Sequence, residues 1–135
     1  MLFIGVLHPS FGDEPKWEIE KSIDIKQYCN DFIDTPIRLC YGPTIGSIQH
    51  AWISDTGQMR IIGKIDRMPP FMALAISYLY TIDVYGKVTV THAKGCDIVP
   101  DAIYKTTLIT KIVPISSFIC GSSGNPSCLW RNYLH

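Results

Sequence analysis

The stretch from Thr35 to Asp66, TPIRLCYGPTIGSIQHAWISDTGQMRIIGKID, constrains the fold more than any other part of the chain, because it carries the clearest long-range pattern. PIRLCY alternates apolar and polar positions, Gly42-Pro43 marks a turn, IGSIQHAWI runs on as a second strand, and the polar turn SDTGQ leads into MRIIGKI. A period of two turns one side of each strand toward a core, so the three predict a meander with one apolar wall. The flanking segments have to supply the rest of that core.

Upstream, LFIGVL at 2–7 is a continuous apolar run ended by His8-Pro9, which predicts a strand buried on both faces and entering the same sheet. GDEPK at 12–16 is a polar turn. WEIEKSIDIKQYCNDFI supports two periods: Ile19, Ile23 and the Tyr28/Phe32 pair recur at helical spacing, while IEKSIDI alternates. We read a short strand near Trp17 to Ile19 and then a helix from an N-cap at Ser22 or Asp24 to about Phe32. Downstream, Pro69-Pro70 suits a first helical turn and nothing breaks the run from Phe71 to Tyr80, which predicts a second helix.

TIDVYGKVTVTH, from Thr81 to His92, predicts a strand, or two around Gly86. KGCDIVPDA at 94–102 reads as a loop, and IYKTTLITKIVPISSFIC as a last strand or strand pair interrupted at Pro114. GSSGNPSCLWRNYLH reads as a flexible loop followed by a segment able to dock through Trp130 and Tyr133. The expected fold class is α+β, mostly antiparallel and barrel-like, with about seven strands and two helices. It comprises one domain over 1–120 and a flexible tail over 121–135, with Ile4, Val6, Ile37, Leu39, Ile61 and Ile65 in the core.

Length and charge bound the function. A chain of 135 residues has room for one ordinary core, and 47% hydrophobic against 18% charged residues favours a compact fold over disorder. Twelve basic residues balance twelve acidic ones, so no bulk field attracts a phosphate backbone and nucleic acid is not the expected partner. Zero net charge with a mean hydropathy of +0.14 favours a dimer or a place in a larger shell, with the segment Phe71 to Tyr80 or the aromatic tail at the contact. MLFIGVLHPSF lacks the basic flank of a secretion signal, and no apolar run reaches the ~20 residues of a membrane span. The five cysteines, Cys29, Cys40, Cys96, Cys120 and Cys128, form no Cys-x-x-Cys pair and no zinc spacing, and read as buried free thiols in a reducing intracellular space.

Few residues point to chemistry. GSSGNP at 121–126 looks like the nucleophile sequence of chymotrypsin-like proteases, with Ser123 as the nucleophile, but too little chain follows it to build a specificity pocket. A Gly/Ser loop is the simpler reading. His8, His50, His92 and His135 show no metal spacing, and His50 and His92 fit surface or hydrogen-bonded strand positions. Ser77 lies in an apolar run where a hydroxyl bonds back to a carbonyl. No Gly-x-Gly-x-x-Gly or Walker sequence is present, and no cofactor or metal is implied.

Taken in order, the elements FIGVLHPSF, PIRLCY, IGSI, SDTGQMRIIGKI, LAISYLYTIDVYGK and IYKTTLITKI resemble, over about Leu2 to Cys120, the herpesvirus capsid maturation protease, assemblin. The tailed-phage prohead proteases share that fold and are more distantly similar. The resemblance implies a serine protease fold in which the first His position falls on Tyr41, the Ser on Asp83 and the second His near Thr106. The Arg pair that serves the oxyanion has no counterpart in IVPISSF. Tyr41, Asp83 and Thr106 cannot together act as nucleophile, base and orienting group. The resemblance therefore implies a catalytically inactive protein with a structural or assembly role in a viral capsid, found in the infected cell or the virion and contacting itself or other capsid or scaffold proteins. With the alignment shifted, Ser77 with His50 or His92 becomes the alternative pair of an active serine endopeptidase. An unrelated small β-rich protein-binding module is the third reading.

Overall fold

The structure is a computed structural model that describes residues 1–9 and 25–113. Seven strands follow one another as β1 (Leu2–His8), β2 (Pro36–Leu39), β3 (Thr44–Ile53), β4 (Met59–Ile65), β5 (Ala73–Ile82), β6 (Val88–Val99) and β7 (Ile109–Val113), with a 3-10 helix (Ile25–Phe32) between β1 and β2. They form one sheet in the order β5-β6-β2-β3-β4-β1-β7. Neighbours run antiparallel except β2 and β6, which pair in parallel through Ile37↔Cys96, Arg38↔Asp97 and Leu39↔Ile98. The sheet curls into a half-barrel. At one end the chain entering β7 ties its outer strands together: Leu74 N–H donates to Thr107 O (2.9 Å), Ile109 N–H to Met72 O (2.7 Å) and Val6 N–H to Leu108 O (3.0 Å).

The meander forms as its alternation requires. Ile37, Ile45, Ile48, Ile61 and Ile65 from β2, β3 and β4 reach the main core, where they meet Phe3 and Leu7 of β1, Leu74 of β5 and Ile98 of β6. The 3-10 helix closes this concave side with Cys29 and the fully buried Phe32. Each large aliphatic or aromatic side chain taken out of water there contributes about 1.5–3 kcal/mol. On the opposite face Leu2, Ile4, Ile62 and Val113 form a second buried cluster against Trp52. Both faces of β1 are thus covered, as its unbroken apolar run demands. Of the expected core residues, Ile37, Ile61 and Ile65 are in the main core, Ile4 is in the second cluster, Val6 is buried, and Leu39 is half-buried against the main core.

Three sequence expectations are corrected. The segment Phe71 to Tyr80 is not a helix: from Ala73 it is β5, because Leu74, Ile76 and Tyr78 alternate onto the core and β6 pairs with it from Ala73↔Val99 to Ile82↔Val88, with bulges at Ser77/Tyr78 and Leu79/Tyr80. Residues 94–99 are not loop. Gly95, at φ +117, is absorbed as a bulge opposite Ser77 and Tyr78, so β6 runs on until Pro100. The α+β class with two helices gives way to a β-rich sheet with, among the described residues, one 3-10 helix. The proposed strand at Trp17 to Ile19, the caps at Ser22 and Asp24, Pro114 and the 121–135 tail lie outside the described residues.

Gly95 also holds the two halves of the sheet at their closest approach. A Cβ on it would lie 2.1 Å from Pro36 O, a backbone atom that cannot step aside, and its φ disfavours any L side chain. Gly95→Ala should therefore lower stability by about 3 kcal/mol in urea unfolding; a change under about 0.5 kcal/mol would show that the β2/β6 contact is looser than described.

Candidate functional site

The end of the half-barrel where β5, β1 and the 103–107 loop meet holds a pocket of about 200 Å³. Leu7, Leu74, Ala75 and Ile103 give it an apolar wall, and Ser77, Tyr78, Tyr80, Tyr104 and Thr107 bring hydroxyls. Tyr104 is buried with its ring 6.3 Å from that of His8, and its Oη has no hydrogen-bond partner. Thr107 Oγ1 donates to Tyr104 O at 3.2 Å, which pins the loop. No lining residue carries a formal charge, so the pocket suits an apolar or backbone-bearing segment better than a reaction needing acid and base.

The positions that the resemblance assigns to a triad do not converge. Tyr41 sits in the β2–β3 turn, 65% exposed and left-handed at φ 61, with its N–H donating to Asp97 Oδ1. Asp83 opens the β5–β6 turn, where its Oδ1 accepts from Tyr85 N–H and Lys87 N–H, each at 2.9 Å. Leu39, beside Tyr41, pairs with Ile98, while Ile82, beside Asp83, pairs with Val88. At about 3.3 Å per residue along β6, these two sites are about 30 Å apart. Thr106 lies in the loop before β7 with its Oγ1 buried and unpartnered.

Ser77 and His50 stand on β5 and β3, with β6 and β2 between them. His50 is stacked on Trp52, ring centroids 5.4 Å apart. His92 is exposed on β6 opposite Leu79, diagonal to the Ser77↔Gly95 pair, and no hydrogen bond joins it to Ser77. Ser123 and His135 lie outside the described residues. Among those described, no group of three or more His, Cys, Asp or Glu side chains is placed to hold a metal ion, and no helix is long and apolar enough to cross a membrane. Cys29 and Cys96 are buried free thiols, and burial pushes Cys29 up to about 11 and Cys96 further, which makes both poor nucleophiles. Cys40 departs from the buried expectation: it is exposed in the β2–β3 turn.

One polar constellation escapes the sequence. Asp97 is fully buried; its Oδ2 accepts from Arg38 Nη2 at 3.1 Å and its Oδ1 from Tyr41 N–H at 2.9 Å. The carboxylate ties β6 to β2 and to the left-handed pair Cys40 and Tyr41. Its only sequence signal is an acid inside the apolar run CDIV, legible only once that run is known to be a strand. No protein-family model matches the chain, and neither a curated protein nor a solved structure matches it significantly.

Two predictions follow from these partners. Removing the Arg38 cation strands a buried carboxylate, so Arg38→Met should cost about 2–3 kcal/mol. Adding Asp97→Asn, which keeps an acceptor for Tyr41 N–H, should recover at least half of that in urea unfolding; a purely additive loss would show that charge compensation is not what holds the junction. His8 and His50 are both held below the ordinary histidine range, mainly by burial; for His8 the hydrogen bond from Nδ1 to Pro9 O (2.8 Å) offsets part of the effect. The unfolded chain then binds more protons below about pH 6.5, so stability should fall as pH drops from 7 to 5. His8→Gln should flatten part of that slope, and an unchanged slope would place the titration elsewhere.

Proposed function

We propose that the chain is a non-catalytic protein-interaction module that joins an assembly through the β5–β6 ribbon. The observation that carries this reading is the burial gradient along β5. Ala73, Leu74 and Ala75 are buried, but Leu79, Tyr80 and Ile82 are 47%, 43% and 54% exposed, and Val84 and Tyr85 at the tip are 94% and 92% exposed. β2 pairs only with residues 96–98 of β6, Val90 farther along β6 is still buried in the core, and beyond it the tip of the hairpin projects. An apolar, projecting element of this kind marks a contact surface.

The tip is also pre-ordered. Asp83 accepts from two backbone N–H groups, Asp83 N–H donates to Lys87 O (3.0 Å), Gly86 N–H donates to Asp83 O (3.0 Å), and Gly86 takes the positive φ the turn needs. Ordering in advance lowers the entropy a partner has to overcome. The separation of Ser77 from His50, and the missing bond to His92, support the non-catalytic side of the reading. A role in a viral capsid or its assembly, as the resemblance implies, is the setting we propose for it, with other copies or capsid and scaffold proteins as partners.

A photo-crosslinking benzoylphenylalanine at Tyr85 in the full chain should give covalent protein adducts, while the same group at Asp55 in the exposed β3–β4 turn should give none. Equal yields at the two sites, or labelling of Ser77 by a fluorophosphonate probe, would sink the reading.

A further inference from the structure

The bonds from Leu74 N–H to Thr107 O and from Ile109 N–H to Met72 O show that the even-numbered residues of β5 turn their backbone groups away from β6. Beyond Leu74, no described strand pairs with that outer edge, and its first part runs beside the pocket at Tyr104. The edge from Ile76 to Ile82 reads ISYLYTI, which is chemically the same in both directions about Leu79: Tyr78 matches Tyr80, Ser77 matches Thr81, and Ile76 matches Ile82. It contains no charge, Pro or Gly, and its own residues pair without a gap, the two bulges opposite Ser77/Tyr78 and Leu79/Tyr80 lying on β6. We infer that a second copy of this chain adds its β5 antiparallel to this edge, with the two-fold axis at Leu79. This rests on the interaction-module reading and names its partner.

The limits of the pairing match the fold at both ends. In this register Ile82 faces the partner's Ile76, and as both are even-numbered their N–H and C=O groups exchange as in the hydrogen-bonded pairs of an antiparallel ladder. One step further the incoming strand would meet the edge already taken by Thr107, and there the chain leaves β5 and turns at Asp83. The turn carries Val84 and Tyr85 toward the partner's end of the half-barrel, where the pocket lined by Leu7, Ala75, Ile103 and Tyr104 lies open. Two-fold symmetry gives two tips and two pockets, so the same contact is made twice. Hydroxyl faces hydroxyl at Ser77 and Thr81, aromatic faces aromatic at Tyr78 and Tyr80, and the net charge of zero leaves no bulk repulsion between copies.

Sedimentation of the full chain at micromolar concentration should show a dimer. Leu79 is 47% exposed, so Leu79→Lys and Leu79→Glu should each keep the strand content seen by circular dichroism. Each sets like charges together on the axis and should weaken the dimer at least about tenfold. Because only a two-fold at Leu79 places residue 79 against itself, mixing the two variants should restore a one-to-one heterodimer. A monomeric wild type, a dimer indifferent to both substitutions, or variants that remain apart when mixed would each overturn the inference. A monomeric wild type that still gives Tyr85 adducts overturns self-pairing alone, whereas a monomer without adducts removes the interaction-module reading as well.

Discussion

The parallel contact between β2 and β6 is the joint on which the rest of the sheet depends. On one side stands a set of strands linked in antiparallel order, β2-β3-β4-β1-β7; on the other stands the β5–β6 hairpin, and only three residue pairs connect them in the sheet. A short parallel ladder is a weak seam by itself. It is reinforced at one end by Gly95, which lets the backbone of β6 close on Pro36, and at its middle pair by Asp97, whose carboxylate bonds Arg38 and the amide of Tyr41. The second join, from Thr107 and Ile109 to β5, lies across the barrel mouth. Together the two joins clamp the base of the hairpin, Val90 anchors it to the core farther out, and the tip beyond Val90 is left to project.

This explains how much the sequence could reveal. β1, the meander and their core residues are local patterns of period two, and Ile37, Ile61 and Ile65 lie where alternation puts them. The run after Pro69-Pro70 is uniformly apolar at its start, and such a run carries no period to separate strand from helix. Its state is decided by a partner strand, β6, that itself looked interrupted. Lys94, Gly95 and Pro100 all read as loop formers, yet the glycine marks a bulge inside the strand and only the proline ends it. One misread glycine thus cuts the expected strand off at His92 and hides the second half of β6, and with it the buried Asp97.

The candidate site was less legible for a different reason. Tyr41, Asp83, Ser77, His50 and His92 were chosen by residue type and order, and the topology spreads them over two turns and three strands. What the structure singles out instead is exposure, which no residue type announces. Val84 and Tyr85 look like ordinary strand residues until the turn at Asp83 to Lys87 holds them out of the sheet.

A projecting two-stranded ribbon is marginal in water unless something packs on it. The hairpin meets this condition through Leu74, Ile76 and Tyr78 of β5 and the buried Val90 of β6 against the core, while Ile82, Val84 and Tyr85 toward the tip stay exposed. Selection for solubility alone would place a lysine or a proline along such an edge, and the seven residues from Ile76 to Ile82 contain neither. The ionic residues stand instead at the turn, in Asp83 and Lys87, where they order the tip without blocking the edge. That arrangement keeps the edge unguarded where a strand can add and confines charge to where the added strand has already ended.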